Sequence, residues 1–527
     1  MALTSGYKKV GKGLGRLLLI LCIGIGVSMI GCRLEPPQGR TQSVHLSPAD
    51  TERTTLGKMA AQEQAKHPQL SGLYLLADPR EAFAARVKLA KQAEKTLDVQ
   101  YYIWRDDTTG SLLLETLYEA AERGVRVRLL LDDHGTSGLD EALSALDAHP
   151  NIEVRLFNPF VFRPFKLFGF VTEFDRANRR MHNKSFTADN AATIVGGRNV
   201  GDEYFGATNG VLFADLDALA VGDVVPKVSQ SFDDYWQSGS AYALSDVVPP
   251  ITAEQQQKWS QHTSIVKRSA AASDYVQAIA NMDFVRQFVE GALSLQWAPT
   301  RFIVDSPSKG LAKAKHQELL ISHLDEVLGK PKHSLDLVSP YFVPTKAGTD
   351  YFIRLQQQGV KVRILTNSLA ATDVVAVHSG YARYRQRLVE AGVELYELKP
   401  TSTSSDDKKF VGLMGSSGSS LHAKTFGTDQ NHIFIGSFNF DPRSINLNTE
   451  LGIVVKNPNY GREMNQVFSE LLPQRSWRVQ YDPAQKHIQW SDAAHKPPQV
   501  LTEEPMSTWW QRASVAVMGV LPIESFL

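Results

Sequence analysis

Cysteine is nearly absent from this chain of 527 residues: Cys22 and Cys32 are the only two, both inside the first 32 positions. The rest can hold no disulfide and no thiolate-bound metal. Net charge is lacking as well, because 56 Lys and Arg are balanced by 56 Asp and Glu. That balance removes the broad positive field with which nucleic-acid-binding proteins gather phosphates, although it leaves a local basic groove open. The apolar run from Leu17 to Ile30 has 14 residues, short of the roughly 20 that span a bilayer. A mean hydropathy of −0.22 excludes a multi-span membrane protein. With 43% hydrophobic and 21% charged residues, a wholly disordered chain is excluded too. A single core seldom grows beyond roughly 250–300 residues, so two domains are expected.

The first residues carry an address. Lys8, Lys9, Lys12 and Arg16 precede the apolar run, which ends in MIGC. A cationic flank, a short apolar core and a small residue before Cys resemble a bacterial lipoprotein signal over residues 1–32, with Cys32 as the lipidated residue. An uncleaved signal anchor is the alternative. Either way the body is expected in the cell envelope, tethered to a membrane and facing the periplasm. Residues 33–55 are polar, contain Pro, and read as a tether.

Beyond the address the chain repeats itself. LDVQYYIW at 97–104 returns as LDLVSPYFVP at 335–344, and RGVRVRLLLDD at 123–133 as QGVKVRILTN at 358–367. HNKSFTADNAATIVGGRN at 182–199 returns as HAKTFGTDQNHIFIGSFN at 422–439. The offsets are 238, 235 and 240, which marks a duplicated domain. Each copy reads as α/β. Leu97 to Ile103 is an apolar strand; Leu113, Leu114, Leu117 and Ala121 recur at helical spacing; Gly124 ends that helix; Val125, Val127, Leu129 and Leu131 alternate as the next strand. Strand–helix–strand order implies parallel neighbours. The expected units are 56–245, a helical connector at 246–300, and 301–527. TSTSSDDKK and MGSSGSS at 401–420 read as a lid or a surface loop.

The chemistry lies in the third repeated block. His182, Lys184 and Asp189 precede Gly197 and Asn199, as His422, Lys424 and Asp429 precede Ser437 and Asn439 at the same spacing. Residues i and i+2 of a strand share a face, so each His and Lys should project together. A small Gly turn then brings Asn and backbone N–H groups toward an anion. Lys holds a phosphoryl oxygen but does not suit a metal site. Two His, two Lys and two Asn converging from two copies describe a phosphate cage that needs no metal and no cofactor.

Both blocks resemble the HxKxxxxD and G[GS]xN motifs of the phospholipase D superfamily. The resemblance implies two tandem α-β-α domains related by a pseudo-twofold axis, with the active site at their interface. It implies that one His, matching His182, attacks phosphorus and forms a phosphohistidine. The other, matching His422, serves as acid and base. Lys184, Lys424, Asn199 and Asn439 would stabilise the phosphoryl oxygens. Asp189 and Asp429 would be structural supports. The family places a carboxylate some 25 to 33 residues after each His. Glu450 fits after His422; Asp215 and Asp217 compete after His182, with Asp215 aligning better. Which acid serves which His stays open.

SPYFVP at 339–344, GGRNVGDEYF, GSFNFDPRSINLNTE and the closing LPIESFL are similar to the bacterial cardiolipin synthases, the C-type branch in particular. That similarity implies transfer of a phosphatidyl group from phosphatidylglycerol or phosphatidylethanolamine to phosphatidylglycerol, with an accessory protein as a further partner of that branch. A hydrolytic phospholipase D and a nuclease are the rival readings, and no Lys/Arg run favours the nuclease. LFNPFVFRPFKLFGF at 156–170 and Trp509-Trp510 with the apolar run that follows read either as membrane-facing or as ordinary core and docking elements. Asp202-Glu203 reads as a helix start or part of the motif. Asp132-Asp133-His134 sits at a strand end, and His378 has no partner that spacing supports.

Overall fold

The computed structural model describes residues 34–400 and 420–527, apart from 164–165, 167–168, 171–172 and 209–211. Cys32, the N-terminal apolar run, and the polar loop at 401–419 fall outside the described residues. Two mixed sheets carry the chain. The first contains β1 (Ser71–Leu76), β2 (Thr96–Ile103), β3 (Arg126–Gly135), β4 (Ile152–Phe157), β5 (Ser185–Ala188) and β6 (Ala192–Gly196). After the short β7 (Phe213–Ala214) it is completed by β8 (Asp217–Gly222), β9 (Ala241–Ala243) and β10 (Gln296–Ala298). The second holds β11 (Thr300–Val304), β12 (Ser334–Val338), β13 (Lys361–Asn367) and β14 (Glu394–Leu398). The short β15 (Ser420–Leu421) precedes β16 (Thr425–Thr428), β17 (His432–Gly436) and β18 (Leu451–Lys456). β19 (Ser476–Asp482), β20 (His487–Asp492) and β21 (Gln499–Leu501) extend the edge. The order β1-β8-β6-β5-β2-β3-β4-β9 is repeated as β11-β18-β17-β16-β12-β13-β14-β19. The duplication read from the sequence is therefore a duplication of topology.

Local sequence explains each unit. Asp107 caps the helix Thr108–Glu122 by accepting from Gly110 N, and the helix buries Leu113, Leu117 and Ala121 against the sheet. Gly124 then takes φ +90° to end it, and β3 returns parallel to β2. The second repeat copies this at Gly359, φ +85°, with β13 parallel to β12. Even the buried ion pairs recur. Arg128 grips Asp98 with two hydrogen bonds of 2.7 and 2.9 Å, and Arg363 grips Asp336 at 2.6 and 2.8 Å. The sheets meet in one shared core, where Leu73, Val195 and Ala218 pack with Ile433, Ile453 and Val455.

Two expected boundaries differ. Residues 33–55 were expected to form a tether, yet from residue 34 onward they include chain held against the first domain. Arg40 donates to Ser238 O and Ala241 O, His45 Nδ1 lies 2.7 Å from Asp233, and a helix begins at Thr55. Part of the polar composition is spent on hydrogen bonds to the body. The stretch 246–300 is helical over Ala253–Arg268, Ala270–Ala280 and Asp283–Val289, but its end is β10, an edge strand on β1. Trp297 of β10 stacks on His67 at 4.4 Å, an apolar anchor that local composition does not show. No helix among the described residues is long and apolar enough to cross a membrane.

Candidate active site

The two hairpins β5–β6 and β16–β17 turn at Asp189-Asn190 (φ 49° and 52°) and Asp429-Gln430 (φ 51° and 51°). Positive φ at both central residues is the turn that matches strand twist, and Asp and Asn tolerate it. Each Asp also fastens the hairpin. Asp189 accepts from the backbone N–H of Glu94, Lys95 and Thr96 at 2.7–2.9 Å, and Asp429 from those of Lys332, His333 and Ser334. Neither carboxylate is the partner of His182 or His422.

The His-x-Lys segments lie just ahead of β5 and β16 rather than within them, because their backbone pairs with the other domain. His182 N donates to Thr449 O at 2.9 Å, and His422 N to Ala214 O at 2.8 Å. Thr449 and Ala214 immediately precede Glu450 and Asp215, so each crossing delivers a carboxylate. His182 Nδ1 lies 2.8 Å from Glu450 Oε2, and His422 Nδ1 pairs with Asp215 Oδ2. The pairing is thus crossed: each His takes its acid from the opposite repeat. Sheet register makes the two acids counterparts, since Gly196 opposes Asp217, Gly436 opposes Gly452, and each acid stands two positions earlier. Asp217 itself turns away to Arg86 at 2.8 Å and Arg198 at 3.4 Å.

Both His and both Lys are buried. Lys184 Nζ bonds His182 O at 2.5 Å, and Lys424 Nζ bonds His422 O and lies 3.2 Å from His422 Nε2. Burial, then the Lys184 and Lys424 charges, hold the His182 imidazole well below its ordinary value. Burial and Lys424 lower His422 also, but Asp215 opposes them. Burial draws both lysines down, most strongly Lys184. The acids differ. Burial alone would raise Asp215, yet the charges of His422 and Lys424 hold it below the usual carboxylate range. For Glu450 burial outweighs Lys184 and pushes the carboxyl up to about 7.

The flanking residues differ between the halves as well. Ser437 Oγ donates to Glu450 Oε2 at 2.5 Å, and Ser444 Oγ to Oε1 at 2.8 Å. Gly197 stands in the place of Ser437, and a Cβ there would come 2.2 Å from Asp215 Oδ1. Tyr204, five residues after Asn199 as Ser444 is after Asn439, donates no bond to the acid. Its hydroxyl instead accepts from Asn199 Nδ2 at 3.0 Å, while Asn199 Oδ1 accepts from Ile103 N at 3.2 Å. Asn439 Oδ1 is buried with no hydrogen-bond partner among the described residues. The backbone N–H groups of Gly197 and Ser437, expected to face an anion, donate to Leu216 O and Leu451 O.

Ring walls complete the site. Tyr102 meets His182 edge-on at 5.0 Å, and Tyr204 and Phe213 each approach His422 at 5.2 Å. Sequence reasoning missed Tyr102, Tyr204, Phe213 and Ser444. Equal spacing after Asn199 and Asn439 marked Tyr204 and Ser444, but their unlike chemistry hid the correspondence. His134 stacks on Tyr102, and Asp132 braces the entry to His182 by accepting from Met181 N at 2.7 Å. Asp202 starts a short helix and accepts from Thr109 N. His378 does have a partner, Glu504 at 2.9 Å. In the Phe-rich segment Phe157 and Phe160 are buried and Phe162 is exposed, while Phe165 and Phe168 lie outside the described residues.

Two copies of one α/β fold, joined so that a paired His-x-Lys site forms between them, define the phospholipase D class. Within it, the family model described as "Cardiolipin synthase, PLD-like domain" matches residues 87–236 and 324–472, and the chain belongs to that family. It is 47% identical to cardiolipin synthase C of Escherichia coli over 463 residues, 88% of this chain and 98% of that protein. An uncharacterized protein of Helicobacter pylori is 32% identical over 434 residues, 82% of this chain and 85% of its own. The crystal structure of phosphatidylserine synthase from Haemophilus influenzae shares the fold, with a TM-score of 0.52 and 14% identity over 80% of this chain and 91% of that one.

Proposed function

We propose that the chain is a phosphatidyltransferase that makes cardiolipin. It would move a phosphatidyl group from phosphatidylglycerol or phosphatidylethanolamine to phosphatidylglycerol. The observation that carries this reading is the 47% identity over nearly all of cardiolipin synthase C, together with a site whose two His sets are both complete.

His182 is assigned the nucleophile. Its Nδ1 is occupied by Glu450, which leaves Nε2 to attack, and its depressed basicity keeps it neutral. His422 is assigned the acid, because Asp215 stays ionised and supports an imidazolium. In the first step a His182 N–P bond forms, the P–O bond to the headgroup breaks, and His422 gives its proton to the departing alcohol. In the second step His422 takes the proton of the acceptor hydroxyl as that oxygen bonds phosphorus. The N–P bond breaks, leaving His182 neutral and His422 protonated, as they began. Lys184, Lys424, Asn199 and Asn439 would hold the phosphoryl oxygens, where charge builds in the transition state. Cys32 would carry a lipid anchor, with the body on the periplasmic side.

The test is expression of this chain and of His182→Ala in cells without their own cardiolipin synthases, fed acyl-labelled phosphatidylethanolamine. Labelled cardiolipin that disappears in the variant is the expected result. Phosphatidic acid without cardiolipin would make the chain a hydrolase instead.

A further inference from the structure

Exposed apolar side chains on a folded protein are normally scattered singly, and a cluster of them has a purpose. Here they cluster. Of 16 large apolar side chains exposed among the described residues, eight lie between Val500 and Phe526. Trp509 and Trp510 are 58% and 66% exposed, and Val517 and Val520 are 62% and 82% exposed, all on the helix Trp509–Val520.

This segment is fixed in place. Thr508 and Gln511 close a capping box at the start of the helix. Glu504 is held by His378 at 2.9 Å and Arg385 at 2.8 Å, Arg383 donates to Leu521 O, and Tyr384 donates to Glu524. All four partners sit on the helix Val375–Glu390. One side of the terminal helix is therefore docked while the other carries its indoles outward, the two Trp rings stacked at 3.6 Å.

The chemistry of the outer face selects its occupant. Between Glu504 and Glu524 the sequence has no carboxylate and a single cation, Arg512. Indole rings at the start of a helix whose remaining outer side chains are aliphatic suit the boundary between headgroups and acyl chains, where a ring can be half wet. The one exposed carboxylate beside the helix, Glu503, is paired with Arg512 at 3.1 Å, which limits the repulsion that an anionic lipid surface would exert. A folded protein partner would more commonly be met by a rim of both charge signs.

The face also adjoins the site. Phe526 packs edge-on against Phe174 at 4.9 Å, and Phe174 is itself exposed eight residues ahead of His182. Leu527 O accepts from Arg443 N at 2.8 Å, four residues after Asn439. The apolar surface thus touches the chain that leads into one His motif and the chain that leaves the other. We infer that the helix Trp509–Val520 and the Phe174–Phe526 pair form the face by which the folded body lies on the lipid bilayer, with the paired His motifs brought to headgroup level. The benefit to catalysis rests on phospholipids being the substrates, whereas the docking itself does not.

The test uses the full chain bound to vesicles of phosphatidylglycerol and phosphatidylethanolamine with brominated acyl chains, which quench only tryptophans within the bilayer boundary. Native protein should lose part of its emission, and that quenchable part should be missing in Trp509→Phe/Trp510→Phe. In Val517→Asp/Val520→Asp the quenching should vanish. Transfer between vesicle lipids should then fall about tenfold or more, with transfer in detergent micelles kept within about twofold. Equal quenching in native protein and the double Phe variant would overturn the inference, as would full vesicle activity in the Asp variant. Quenching in the expected pattern with no phosphatidyl transfer at all would leave the docking face standing and remove the functional reading.

Discussion

The two His–carboxylate pairs occupy the same place in two copies of one fold, yet they are built differently. His182 meets a longer acid, Glu450, whose two oxygens also take hydrogen bonds from Ser437 and Ser444. His422 meets a shorter acid, Asp215, which packs directly on Gly197 and stays ionised under the pull of His422 and Lys424. The difference teaches that duplication preserved the frame while the carboxylate settings diverged, which supports the proposed split into a nucleophile and an acid. A nucleophile must be neutral and tolerate a bond to phosphorus. A proton donor must be charged at the moment of bond breaking.

The largest effect that would break this comparison comes from replacing the acids. Asp215→Asn and Glu450→Gln should each lower phosphatidyl transfer by roughly 10³–10⁴-fold, since a wrong His tautomer has that cost in other triads. A donor with an activated leaving group, which departs without a proton, should separate them. Asp215→Asn should then still form a covalent enzyme, trapped by acid quench and phosphorus labelling, and Glu450→Gln should not. The reverse pattern would exchange the two His roles.

A smaller effect sharpens it. Gly197→Ser should cost roughly 10²-fold in transfer, because its Cβ would come 2.2 Å from Asp215 Oδ1 and push the acid off His422. Ser437→Gly removes only one hydrogen bond to Glu450 and should cost about tenfold or less. Steady-state assays of both variants beside the parent would check the order.

The smallest effect is on stability. The Glu450 carboxyl sits at about 7 against an ordinary 4.5, so folding favours its protonated form. Its contribution to stability is complete below pH 4.5 and is lost as the pH rises through 7. Glu450→Gln should therefore melt about 1–3 °C above the parent at pH 8 and level with it at pH 4.5, by calorimetry at both values.

Much of the fold was legible in the sequence because a duplication announces itself at three offsets within five residues of each other. Gly124 and Gly359, ending equivalent helices, could be read locally, since only backbone conformation was at stake. The pairing of acids with His could not. Glu450 lies 268 residues from His182, and its approach depends on how two sheets pack, which no local pattern encodes. Ser444 and Tyr204 hold the same position with different chemistry, so a search for likeness between the repeats passes over them. Residues 33–55 read as a tether because an irregular stretch that spends polar groups on a neighbour has the composition of one that spends them on water.

The crossed pairing also sets how much of the chain must be made before the site can be completed. A growing chain acquires His182 early but meets Glu450 only after 268 more residues have been joined. At ordinary ribosomal speeds that interval is on the order of tens of seconds. Throughout it the first half, however well folded, has a histidine without its carboxylate and a carboxylate without its histidine. A product that ends before Glu450 lacks the carboxylate that His182 pairs with, so it is expected to show no phosphatidyl transfer.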